Sequence, residues 1–304
     1  MRLSFAPAIG ALATVAMLTA PAADAKPKWA DIRVVSHSGA TLAEHRQYSD
    51  DVKVRTSADA DCFGPSNPST GETYRLRQPS VLTTLIEAAK YDGDLEPLMI
   101  TDGFVDDGFG FGVCDIGGLE TEGFSYWYSA VNGVGSSTGP DLIPVSNGDD
   151  HLWYLTTGAE PGFPAELRLK APARAVVGEP FTVRVTRVLP DGSKEPAAGV
   201  AVGGTETDAS GEADITPGDS NGLVLRALGE ADDVPSATVD VCTSEVLSDC
   251  PKRIGIVIRG SRRDDEIRGT RGGDLISCGK GKDLVREAQD TDKISSDCEK
   301  VRRG

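Results

Sequence analysis

The chain has 304 residues, 39% of them hydrophobic and 26% charged, with a formal net charge of −16. A balance this acidic excludes nucleic acid or an anionic membrane as the main partner, since both would repel it. The length fits two domains and a tail.

The first 25 residues read as a secretory signal: Arg2 supplies the charge, Ile9 to Ala20 is apolar, and Ala23-Asp24-Ala25 forms a cleavage site. The run is too short and wrongly flanked for a membrane span. The mature chain is expected to start at Lys26, leaving about 280 residues. No cysteine follows at lipoprotein distance and the terminal KVRRG has no hydrophobic tail, so the expectation is a secreted, extracellular protein without membrane insertion. Residues 26–250 carry 16 Lys and Arg against 36 Asp and Glu, whereas residues 251–304 carry 14 against 10. The basic tail alternates in sign and reads as a solvated surface.

Residues 26–157 read as a first module. Strands are predicted over Ala30–Val35 and Val52–Thr56. Ser80 then caps a helix starting at Val81, with Leu82, Leu85, Ile86 and Ala89 on the face that covers a sheet. The segment 102–118 is rich in Gly, Asp and Phe and reads as a loop or bulged hairpin tied down by Cys114. Its Asp102, Asp106 and Asp107 lack the alternating oxygens and terminal Glu of an EF-hand, so they read as acidic surface.

The stretch 124–156 concentrates Tyr126, Trp127, Tyr128, Trp153 and Tyr154. Strands are predicted over Phe124–Val131 and His151–Leu155, beside the turn signals Asn132-Gly133 and Asn147-Gly148. Alternation puts Phe124, Tyr126 and Tyr128 on one face and Trp127 on the other, which predicts that Trp127 stays near the surface. The aromatic set either fills a core or forms a platform for a flat ligand, a carbohydrate or a partner strand.

The order of helix, Gly-rich hairpin, Tyr-Trp-Tyr-x-x-Val-Asn-Gly strand and final aromatic strand resembles the transcobalamin-like C-terminal domain family over roughly residues 30 to 157. The resemblance implies a β-grasp-like α+β module. Members occur in vitamin B12 carriers and bacterial surface proteins, which would make Tyr126, Trp127 and Asn132 ligand-binding positions and would allow a corrinoid carrier.

Gly and Pro break the pattern over 156–165, and a second module follows over 163–242. Strands are predicted at Leu167–Leu169, Phe181–Val188, Val200–Val202, Leu223–Ala227 and Ala237–Val241, with a hairpin over 207–215, a spacing that indicates a β-sandwich. The run V-G-E-P-F-T-V-R-V and the later T-D-A-S-G-E-A resemble bacterial immunoglobulin-like surface domains, which implies a spacer or adhesion stalk.

The tail, 251–304, repeats in nines from Gly260 to Ser295, with Asp265, Asp274, Asp283 and Asp292 at position six and Ile267, Ile276, Val285 and Ile294 at position eight. It resembles the hemolysin-type nonapeptide repeat, a short β-roll in which the aspartates would hold calcium. Only Gly272 and Gly281 keep the position-four glycine. Two nonads per coil would stack Asp265 on Asp283 and Asp274 on Asp292. The alternative is a metal-free roll stapled by a disulfide.

The six cysteines of an exported chain read as disulfides and allow 15 pairings. Nearest-partner logic within modules favours Cys62–Cys114, Cys242–Cys250 and Cys278–Cys298, the first contributing roughly 3 to 4 kcal/mol. Zinc is disfavoured because no C-x-x-C spacing occurs. The string Gly135-x-Ser137-x-Gly139 lacks the strand-to-helix context of a hydrolase nucleophile, and His37, His45 and His151 share no ligand spacing. The fold expected is mainly β with one helix: a β-grasp-like α+β module, an immunoglobulin-like sandwich and a β-roll-like tail. The function expected is a non-enzymatic binding or adhesion protein for an extracellular ligand or surface polymer, with a small-molecule carrier or a Ser137 hydrolase as alternatives.

Overall fold

A computed structural model shows a mainly β chain with one α-helix among the described residues, and most predicted alternating runs form strands in it. It describes residues 26–304 except 122, 124, 157–163, 221, 231–232 and 252–254. The signal segment 1–25, most of the 156–165 linker and Phe124 therefore lie outside the described residues.

The central strand of the first module is Lys28–Val35. It pairs antiparallel with Thr41–Ser49 and parallel with Asp149–Leu155, so that Ile32 lies opposite His45 on one side and His151 on the other. Trp127–Val131 extends the sheet beyond Asp149–Leu155, and the Asn132-Gly133 turn leads into the short strand Val134–Gly135. Both turn residues have positive φ, 54° and 83°, as a two-residue hairpin loop requires.

The helix Val81–Ala89 starts at Ser80, whose Oγ accepts from the Thr83 amide at 3.2 Å while Thr83 Oγ1 accepts from the Ser80 amide at 2.7 Å. All nine helix residues are buried, not one face only. The segment 140–145 runs over the outer side, where the amides of Val81 and Leu82 donate to the carbonyls of Ile143 and Pro140. Trp127 also departs from expectation: it is only 7% exposed and sits in the helix-side core with Trp153, Leu85 and Ile116. Tyr128 points the opposite way, into a cluster with Val35, Leu152, Tyr154 and Val234 of the sandwich. The alternation is as predicted, but the sheet is covered on both faces, so neither aromatic set is left at the surface.

The sandwich core lies between strands such as Ala165–Lys170, Phe181–Val188 and Val239–Ser244 and holds Leu167, Val183, Val185, Ile215 and Val241. It packs on the first module through a buried ion pair, the Arg33 guanidinium with Glu166; Arg33 also donates to the Pro235 carbonyl. Arg168 pairs with Asp150 at 2.8 Å, and the Gly135 amide donates to the Pro190 carbonyl at 3.0 Å.

The tail folds as a roll of 18-residue coils. Val257–Arg259, Leu275–Ser277 and Lys293–Ile294 form one parallel row; Glu266–Arg268, Leu284–Ala288 and Lys300–Arg303 form the other. Ile258, Ile267, Ile276 and Val285 fill its interior at 0% exposure. Ile258 stands nine residues before Ile267, so the repeat begins one nonad earlier than Gly260. Its strand pairs parallel with Thr41–Ser49, Arg46 opposite Ile258, which merges the roll and the first module into one eight-stranded sheet. The three disulfides join Cys62 to Cys114, Cys242 to Cys250 and Cys278 to Cys298.

Candidate ligand cleft and the stacked aspartates

A cleft of about 430 Å³ opens beside the N-terminal end of Trp127–Val131 and the segment 136–140 that follows its hairpin partner. Tyr126, Trp127, Tyr128 and Trp153 form one wall, and Phe63, Phe104, Phe109 and Phe111 form the other. Ser136, Ser137, Thr138, Gly139 and Pro140 make the rim. The phenylalanines come from two distant segments that local structure brings together. Leu98–Phe104 and Gly110–Ile116 pair as a bulged hairpin, and Cys62–Cys114 draws the segment carrying Phe63 onto it.

Phe63 and Phe104 meet edge to face at 4.9 Å. Gly112 is required beneath them, because a Cβ there would collide with the Phe63 ring. The rim is fixed by the Gly139 amide, which donates to the Phe109 carbonyl at 2.6 Å, and by Asp141, whose Oδ1 accepts from the Phe111 amide at 2.8 Å. Burial pushes the Asp141 carboxyl up against that hydrogen bond. Trp153 is 1% exposed and its Nε1–H has no hydrogen-bond partner among the described residues. Tyr126 and Trp127 thus share the cleft. Asn132 does not reach it: its Nδ2 donates to Asp149 Oδ1 and its Oδ1 accepts from the Asp150 amide, both at 3.0 Å, so it locks the hairpin turn.

No protein-family model matches this chain, and no curated protein does. The chemistry must therefore be read from the residues themselves.

Ser137 lies at the cleft rim, but among the described residues no His, Cys, Lys or carboxylate lines the cleft to act as its base. His45 is engaged elsewhere, with Asp92 Oδ2 at 3.1 Å and Gln47 Oε1 at 3.2 Å. His151 is fully buried in the sheet, and neither ring nitrogen has a partner among the described residues. Burial pushes its pKa down to about 4.

Asp102 anchors the neighbouring loop, accepting from Ser69 Oγ at 3.0 Å, the Thr70 amide at 2.8 Å and Tyr74 Oη at 2.8 Å. Burial raises its carboxyl, but these bonds outweigh burial and hold it well below the usual carboxylate range. Asp106 and Asp107 are exposed on the loop between Phe104 and Phe109.

In the roll the position-six aspartates stack as the repeat predicts, and each carboxylate is used by backbone amides. The Asp265 amide donates to Asp283 Oδ1 at 2.8 Å and the Asp274 amide to Asp292 Oδ1 at 2.9 Å. Asp265 accepts from the Ser261 amide and hydroxyl, Asp274 from the Ile256 amide and Thr270 Oγ1, and Asp292 from the Gln289 amide. Burial pushes Asp265 up to about 7, with the Asp283 charge adding to it. Calcium takes six to eight oxygens at about 2.3–2.6 Å. Here only Asp283 Oδ2 lacks a partner. Among the described residues the one convergence of three ligand-type atoms is Cys278, Asp297 and Cys298, and both its sulfurs are in a disulfide. In this arrangement the aspartate carboxylates are taken up mainly by amide and hydroxyl donors.

Proposed function

We propose that this is an exported, non-catalytic binding protein whose first module takes a small, largely apolar ligand in the aromatic cleft. One observation carries the reading: eight aromatic side chains from four separate segments converge on one cleft that, among the described residues, has no ionisable side chain other than tyrosine in its lining. At about 430 Å³ the cleft lies at the small end of ligand sites, which run from about 300 to 1,000 Å³. It suits one or two rings, and a corrinoid would have to lie across its mouth. The docked sandwich and roll support the cleft module as a rigid base, and the three disulfides suit an oxidising compartment. No helix among the described residues is long and apolar enough to cross a membrane.

The reading is tested by titrating the oxidised protein with the uncharged apolar fluorophore N-phenyl-1-naphthylamine and with neutral aryl alcohols while following tryptophan emission. Saturable quenching that is lost in Phe63→Ala supports it; linear, unsaturable quenching sinks it. Export is checked by N-terminal sequencing of the protein from culture medium, with Lys26 expected first. For the roll we propose a metal-free brace, because calcium would have to displace the amide bonds to the aspartates. Its unfolding temperature should be the same in calcium and in chelator, and a rise in calcium would restore the cation-binding reading of Asp265, Asp274, Asp283 and Asp292.

A further inference from the structure

The charge around the cleft narrows the ligand class, an inference that rests on the cleft being the binding site. We propose that the cleft binds an organic cation, a quaternary ammonium or N-methylated amine. Aromatic faces carry negative quadrupole density, and a poorly hydrated ammonium placed against several of them gains electrostatic as well as apolar contact. Among the described residues the lining contains no Lys, Arg or His that would repel such a group. The charges that do accompany the cleft are carboxylates. Asp106 and Asp107 are exposed on the loop between two wall residues, Phe104 and Phe109, and Asp141 backs the wall through its bond to the Phe111 amide. The excess of 20 acidic side chains over residues 26–250, 36 against 16, adds a field that concentrates cations at the surface.

Other ligand classes fit less well. An anion finds no cationic partner in the lining. A carbohydrate is commonly held by carboxylate, amide or guanidinium side chains that pair with adjacent hydroxyls, and among the described residues the lining has none of these. A neutral hydrocarbon would fill the space without using the carboxylates.

The experiment compares choline and benzyltrimethylammonium with 3,3-dimethylbutan-1-ol, the uncharged isostere of choline, by calorimetry and tryptophan emission on the oxidised full chain at low and high salt. Choline is expected to bind at least about tenfold more tightly than its isostere. Phe109 is 59% exposed, so Phe109→Leu keeps the fold. It should weaken the cations by about 2- to 30-fold and leave the isostere nearly unchanged. Asp106→Asn with Asp107→Asn should weaken the cations about threefold at low salt and little at high salt. Equal affinity for choline and its isostere overturns the cation proposal and leaves an apolar cleft. Failure of the cations, the isostere and the apolar fluorophore alike overturns the cleft as a binding site and the cation proposal with it.

Discussion

Gln47 Nε2 donates to the Gly260 carbonyl at 3.0 Å, joining two residues 213 positions apart. The same nitrogen serves the Tyr48 carbonyl at 2.7 Å, and Gln47 is fully buried. Beside it Tyr48 packs among Ile258, Ile267 and Ile276, so its ring belongs to the interior of the roll. The outer edge of Thr41–Ser49 is thus covered by the roll rather than by water. Gln47→Ala should cost about 2 kcal/mol by leaving the Gly260 carbonyl and its neighbours unpaired, measured by urea unfolding. A chain ending at Pro251, which keeps the Cys242–Cys250 disulfide, should lose stability in the first module as well as the roll, seen as a lower transition temperature for its tryptophan signal. An unchanged transition would show that the roll is an independent appendage.

The Arg33–Glu166 pair is buried on both sides, at 4% and 5% side-chain exposure. Replacing Arg33 alone by Met leaves the buried Glu166 carboxylate with only the partly exposed Arg168, at 3.2 Å, and should cost about 3 kcal/mol. Arg33→Met with Glu166→Leu should cost far less than the sum of the single changes. A double-mutant cycle measures this, and additive costs would mean that the two modules do not depend on the pair.

His151 sets an acid limit on stability. Its pKa falls from 6.5 to about 4 on folding because burial disfavours the imidazolium, with Asp149 and Asp31 opposing only in part. The folded chain therefore holds it neutral, while the unfolded chain takes up the proton. Stability from this group is complete above pH 6.5 and is lost as pH falls from 6.5 to about 4, in total by about 3 kcal/mol. In His151→Leu the urea midpoint should fall less steeply over that window, and an identical slope would assign the acid sensitivity to other groups.

Cys62–Cys114 closes a separation of 52 residues and holds Phe63 against the hairpin that carries Phe111. Replacing both cysteines by Ser should cost about 4 kcal/mol by the chain-entropy relation. It should also weaken binding in the cleft more than Cys242→Ser with Cys250→Ser, whose disulfide lies in the sandwich module. Equal effects of the two pairs on binding would separate the disulfide from the cleft wall.

How much of this was legible in the sequence depended on whether a segment carries its own signal. Ser80, Thr83 and the apolar run after them announce the helix. The nonads announce the roll and the stacking of Asp265 on Asp283. Thr41–Ser49 was not recognised as a strand because Glu44, His45, Arg46 and Gln47 look like surface; several of them instead meet other modules, as Glu44 meets Thr238 and Gln47 meets Gly260. Trp127 was misplaced for a related reason, since period-two alternation does not reveal that both faces of a sheet are covered. The cleft was half visible. Tyr126 and Trp127 lie in one aromatic run; the Cys62–Cys114 disulfide and the bulged hairpin that bring Phe63 and Phe104 to it are both legible, but nothing local says that these phenylalanines face that run. Ile258, nine residues before Ile267, continues the position-eight series into a nonad that has Ile256 where the others carry aspartate.

The pairing of Thr41–Ser49 with Val257–Arg259 bears on the order in which the chain matures. A strand from its opening third waits for its outer neighbour until the last fifty-odd residues are available, and contacts of such separation form late. Until then the sheet presents an unmatched row of amides and carbonyls, the state most open to wrong pairing and to proteases. An incomplete copy would keep that exposed row permanently, so the fold itself distinguishes finished molecules from interrupted ones.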